Sequence, residues 1–234
     1  MGENDFHLAQ CHFQRATELA AEHDVELMAQ ALSALASLDV LSGDTAGGLL
    51  LATDAIASAE RSPLRMVLVM ALMRAGEAAL LAAQWDRACR FLADGLERIA
   101  ELGTERYLGD CCELVALVQL ARDDPRAAAV MFGASTAVHE RTDGASQVRF
   151  IAKQARAGRH RLANLLGTER LESYEREGRN LSRDQVIDHA RSVLRWLATA
   201  WEIRQTIRTE LAGQGARYPC LDRAKFGRTP RRRG

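Results

Sequence analysis

Apolar residues in this chain recur at helical spacing over long runs, and short polar turns cut the runs apart. Four runs carry one signature. A small residue (Ala9, Ala46, Ala88 or Ala127) is followed four positions later by a bulky apolar one (Phe13, Leu50, Leu92 or Met131). Three positions further on comes a short residue (Ala16, Thr53, Gly95 or Ala134). A recurrence of about 40 residues marks helical hairpins stacked in a row, each too small to bury its own apolar face. The expected fold is all-α, a right-handed superhelix of antiparallel helix hairpins.

Each hairpin reads as a helix A, a tight turn and a helix B. The first pairs Val25–Leu41 with Thr45–Glu60, and Gly43 and Asp44 supply a C-terminal glycine and a capping aspartate. The second pairs Leu64–Ala83 with Arg87–Glu101. Ser62 and Pro63 open it as N-cap and first helical residue, and Gln84, Trp85 and Asp86 form its turn. The third pairs residues 106–122 with Pro125–Arg141; Asp124 caps, and Pro125 stands where a missing N–H is harmless. The anchor alanine of each helix B is expected at the closest approach to helix A, where Ala34, Gly76 and Val115 stand twelve residues earlier. Ala9 has no helix A before it. Its helix is expected to leave an apolar face for another domain or another chain.

Beyond Gly144 the signature stops. A helix over about 146–166 carries Ile151, Ala155, Leu162 and Leu166, and a shorter one closes at Gly178. Ser182 and Gln185 then form a capping box, with Leu181 and Val186 as a hydrophobic staple. The helix they start presents Val186, Ala190, Val193, Leu194, Leu197 and Trp201 on one stripe. From Ala212 on, Gly, Pro and Arg dominate, which predicts a disordered tail. The expected organisation is repeats over 1–145, a helical extension over 146–211 and a basic tail over 212–234.

Composition narrows the function classes. Net charge is zero, so a general electrostatic case for nucleic acid is absent. The tail is the exception: Arg223, Lys225, Arg228, Arg231, Arg232 and Arg233 form either an inert solubilising run or a source of weak, non-specific phosphate contacts. The five cysteines are an odd number without a C-x-x-C pair, which predicts buried free thiols in a reducing cytoplasm. The N-terminus does not read as a signal peptide. The apolar run Met66–Met73 is far shorter than the about 20 residues of a membrane span. No membrane association is expected.

Candidate chemistry is sparse. His7 and Cys11 are one helical turn apart, with His12 beside them, but a third and fourth ligand are missing. Cys111 and Cys112 are adjacent, poor geometry for chelating one ion. Gly133-Ala-Ser135 approximates a nucleophile elbow without its last glycine, and inside a helix. Arg159, His160 and Arg161 follow Arg149, Lys153 and Arg156 as a basic face, either solvated or facing an acidic neighbour. No phosphate-binding loop or dinucleotide fingerprint occurs. No enzyme activity, cofactor or metal is expected. The candidate binding face is the inner side of the A helices, which spacing assigns to Met28, Leu35, Met70, Met73, Leu80, Cys112 and Ala116. Such an apolar, methionine-rich lining either suits adaptable contacts with apolar partners or packs against neighbouring repeats.

The signature, with Gly76 twelve residues before Ala88, resembles the tetratricopeptide repeat. Two further stretches, Ala127–Ala134 and Leu166–Ser182, resemble the C-terminal helical region of bacterial LuxR-type regulators that carry a signalling ATPase. The resemblance covers about residues 6–195. It implies a sensor or scaffold role in transcription regulation and signal transduction. The ATPase loop is absent, and after Leu211 there is no room for a DNA-reading helix pair, so no catalytic or DNA-contacting residue carries over. A cytoplasmic module that binds a protein partner or itself is the expectation; the alternatives are a small-molecule effector on the inner face, or a truncated regulator fragment with no independent activity.

Overall fold

A computed structural model describes residues 3–20, 24–142 and 152–195. Among them the regular structure is all α-helical: α1 (Glu3–Ala20), α2 (Val25–Ser42), α3 (Thr45–Glu60), α4 (Arg65–Leu81), α5 (Trp85–Leu102), α6 (Leu108–Ala121), α7 (Pro125–Arg141), α8 (Ala152–Leu166), α9 (Thr168–Arg179) and α10 over residues 183–195. The basic tail, Cys220, Leu197, Trp201 and the expected helix start near 146 lie outside the described residues.

Short connections make consecutive helices antiparallel neighbours. α2 packs on α3, α4 on α5 and α6 on α7; α2 also meets α4, and α4 meets α6. The turns inside the three hairpins are built alike. Gly43, Ala83 and Asp123 all take positive φ, at 106°, 54° and 63°. In the second and third, the following N–H groups of Gln84 and Asp124 close back on the carbonyls of Ala79 and Gln119 at 2.8 and 3.0 Å. This double closure satisfies the last carbonyls of the A helix in a left-handed cap. The next residue starts helix B. The Asp44 and Asp124 carboxylates accept from the N–H groups of Gly47 and Ala127 at 2.9 and 3.1 Å, as expected of N-caps.

The second hairpin opens differently from expectation. α4 begins at Arg65, so Pro63 lies in the connection and not in the first helical turn. The Ser62 hydroxyl accepts from the Leu64 N–H at 3.0 Å and donates to Glu26 at 3.1 Å, which ties the connection to α2. Trp85, expected in the turn, is the first residue of α5.

The three turns set the repeat frame, and it differs from the one the signature suggests. Counted from Gly43, Ala83 and Asp123, the equivalent helix-B positions are Gly48, Ala88 and Ala128, all buried. Their helix-A counterparts are Ala36, Gly76 and Ala116, also buried. A Cβ on Gly48 would come within 2.6 Å of the Ala36 carbonyl oxygen, so α2 and α3 are in backbone contact there. Ala46 is exposed, Leu50 is 66% exposed and Ala127 is only half-buried. Two of the four anchors therefore sit one or two residues out of register. Ala88, Leu92 and Gly95 occupy the packed positions, with the methyl of Met73 seated against Gly95.

The C-terminal helices pack onto the last hairpin. α9 lies against α7 so closely that a Cβ on Gly178 would strike the Val130 carbonyl, and one on Gly133 the backbone of Glu175. Arg159 of α8 stacks 4.4 Å over Phe132 and pairs with Glu175 at 3.1 Å. Arg161 pairs with Asp123 at 3.6 Å, so two residues of the expected basic face make internal contacts, while Lys153, Arg156 and His160 are exposed and Arg149 lies outside the described residues. The capping box of α10 is reciprocal: Ser182 N–H donates to Gln185 Oε1 at 2.8 Å, and Gln185 N–H to Ser182 Oγ at 3.3 Å. Arg191 then grips Glu97 of α5 through two contacts of 2.7 and 2.9 Å.

The left-handed conformation costs a non-glycine residue about 1–2 kcal/mol, of which glycine's extra unfolded-chain entropy returns about half. Ala83→Gly is therefore expected to raise the unfolding free energy by about 0.5–1 kcal/mol in chemical denaturation. Gly43→Ala, which meets no atom within 4 Å, should lower it by a similar amount through strain alone.

Candidate functional site

The seven residues assigned to the inner face divide by depth. Leu35, Met73, Leu80, Cys112 and Ala116 are buried, Cys112 and Ala116 completely. Met28 and Met70 are half-buried. The five covered residues are shielded partly by the A helices meeting one another, α2 against α4 and α4 against α6, and partly by each hairpin's own helix B, as where Met73 lies against Gly95. They offer no surface to an occupant in this arrangement.

The open concavity lies elsewhere, where α3 and α5 both rest on α4. It has a volume of about 260 Å³. Ile56, Leu68, Leu72 and Phe91 form its apolar floor, and Glu60, Asp94, Glu97, Arg98 and Glu101 its rim. Helical spacing explains the rim. Asp94, Glu97, Arg98 and Glu101 fall three or four residues apart, so they share one face of α5. Phe91 lies one turn before Asp94 on that face and is held by Arg87, 5.9 Å from the ring centre.

The rim charges are unequally compensated. Arg98 pairs with Glu101 at 2.9 Å. Arg191 donates to Glu97, and those hydrogen bonds hold the Glu97 carboxyl below its ordinary range. Glu60 and Asp94 have no ion-pair partner among the described residues. The Asp94 side chain reaches solvent. Loss of water on its groove side still raises its carboxyl above the usual range, against the pull of Arg98 and Arg90. The site thus combines an apolar floor with two acids, Glu60 and Asp94, that form no ion-pair contact among the described residues, Arg90 and Arg98 acting on Asp94 only from farther away.

The remaining candidates are not assembled for chemistry. His7, Cys11 and His12 are exposed on α1, with Cys11 Sγ 3.9 Å from His7 Nε2. Ser135 is buried in α7, and among the described residues its hydroxyl has no hydrogen-bond partner, a histidine base included. Cys89, Cys111 and Cys112 are free and buried. Burial pushes the Cys89 and Cys111 thiols up to about 12 and raises Cys112 well above the ordinary range. By length and composition alone, α2 is apolar enough to cross a membrane, but it packs on α1, α3 and α4.

No family model matches the chain, and no curated protein matches it. Among solved structures it is similar to the crystal structure of BtubC (BKLC) from P. vanneervenii, with a TM-score of 0.55 and 17% identity. The match covers 99% of this chain and 98% of that one. At this identity the likeness is one of helical fold.

Thiol chemistry should follow burial. In the native protein at mildly alkaline pH, iodoacetamide is expected to alkylate Cys11 and to leave Cys89, Cys111 and Cys112 unmodified. Peptide mapping should show all four alkylated once guanidinium is added.

Proposed function

We propose that this chain is a non-catalytic protein-interaction module. In this reading its hairpins form a right-handed, tetratricopeptide-like superhelix, and the groove between α3, α4 and α5 receives a basic, amphipathic helix from a protein partner. The observation that carries the reading is the groove itself. Its floor of Ile56, Leu68, Leu72 and Phe91 suits an apolar side chain, and Glu60 and Asp94 add negative charge at the rim. Charge complementarity of this kind sets partner choice and on-rate more than affinity. A volume of about 260 Å³ holds a side chain or two, below the about 300–1,000 Å³ of a small-molecule pocket. That favours a protein over a small effector.

The resemblance to LuxR-type regulators supplies the setting we propose: a cytoplasmic signalling or transcription-control assembly in which this array is the sensor or scaffold part. The two stretches that carry the resemblance, Ala127–Ala134 and Leu166–Ser182, meet at the Gly133 and Gly178 crossing of α7 and α9. Their glycines thus have a packing reason to occur together, which supports the reading.

The test uses a helical peptide of alternating Leu and Arg turns and a second in which Glu replaces Arg. The full chain should bind the basic peptide in fluorescence anisotropy and ignore the acidic one. Combined Glu60→Lys and Asp94→Lys should weaken binding about tenfold, or about 1.4 kcal/mol. A bound cation favours ionised Asp94, whose carboxyl starts above its usual range. Affinity should therefore fall as pH drops through the carboxylate range. Equal binding of both peptides, or no loss in the double variant, would refute the groove as the docking site.

A further inference from the structure

We propose that Asp110, Glu113 and His139 form a binding site for a borderline divalent metal ion of the zinc class. The three offer one ligand atom each within 4.8 Å of one another. Asp110 and Glu113 stand three residues apart, on one face of α6 near its start. His139 comes from the last turn of α7. The antiparallel hairpin brings these two helix ends together, opposite its turn.

The imidazole gives the site its meaning. His139 Nε2 is buried and has no hydrogen-bond partner, a state that costs a polar atom the water it has lost. It faces Asp110 Oδ1 at 3.6 Å, beyond hydrogen-bond reach. Two ligands bound at about 2.0–2.1 Å around a tetrahedral ion stand about 3.4 Å apart, so 3.6 Å is close to the span of one shared ion. The ring is held in place by the backbone of α6. A Cβ on Gly109 would come within 2.8 to 2.9 Å of three ring atoms, so glycine there leaves the cradle in which the imidazole lies.

The donor set selects the ion class. One imidazole and two carboxylates suit zinc and its neighbours better than calcium, which takes oxygen ligands in larger number. Both carboxylates have further interactions, so the orphaned imidazole nitrogen is what points to an ion. With these three as protein ligands, water would supply the fourth position. Such an ion would staple the open end of the α6–α7 hairpin and leave the groove on α5 untouched.

The test is calorimetric titration of the full chain with zinc chloride after chelator treatment, in a His7→Ala, His12→Ala background that removes the exposed histidines of α1. One zinc ion per chain is expected, with affinity reduced at least tenfold by His139→Ala and by Glu113→Gln. Circular dichroism checks that each variant folds; if His139→Ala does not, Glu113→Gln decides. Absence of zinc binding, or binding undiminished in Glu113→Gln, would overturn the site.

Discussion

Two helices joined by a tight turn can pack only as closely as the side chains at their crossing allow, and here that crossing is kept small. Ala36 meets Gly48, Gly76 lies against Leu92 and Ala88, and the equivalent positions of the third hairpin, Ala116 and Ala128, are buried as well. The left-handed residues Gly43, Ala83 and Asp123 place each helix B in the same phase relative to its helix A. Close approach lets many weak dispersion contacts add up over alanine-rich surfaces that have little other apolar area to bury. It also fixes how far apart successive hairpins lie. α4 can then touch α2, α3, α5 and α6, and the groove opens where α3 and α5 leave its surface uncovered.

The same device is used again at the C-terminal side, where Gly133 and Gly178 allow α7 and α9 to meet backbone to backbone. Around that contact the fold pairs its charges across helices. Arg159 joins α8 to Glu175 of α9, Arg179 joins α9 to Glu140 of α7, and Arg191 joins α10 to Glu97 of α5. The exposed Arg179–Glu140 pair adds little stability by itself; the other two are partly buried. At the groove rim the pairing also removes charge: Arg191 neutralises Glu97, as Arg98 does Glu101.

Much of the element order was legible in the sequence because caps and turns are local chemistry. Asp44, Asp124, the Ser182–Gln185 box and the glycine ends mark helix boundaries by hydrogen bonds that short segments determine. Register was less legible. Ala46-Gly47-Gly48 and Ala127-Ala128-Ala129 offer small residues at neighbouring positions, so a small–bulky–small signature fits more than one frame. The turn residues would have settled it, but Gly, Ala and Asp share a backbone conformation there and no side-chain feature. The inner-face assignment depended on which sides of the A helices face one another, which no single helix encodes. The groove joins residues of three helices. Its one sequence trace was the run of acids on a face of α5, at 94, 97 and 101. The Asp110–Glu113 spacing was visible too, but His139 joins it only through the hairpin.

The most direct test of the close-approach frame sets the two candidate anchors against each other by chemical denaturation of the full chain. Ala88→Val, at the buried crossing, should lower the unfolding free energy by about 1–3 kcal/mol through overpacking. Ala46→Val, on the exposed side of α3, should change it by no more than the about 0.7 kcal/mol of helix propensity. Equal losses at both positions, or the larger loss at Ala46, would contradict the frame and the groove built on it.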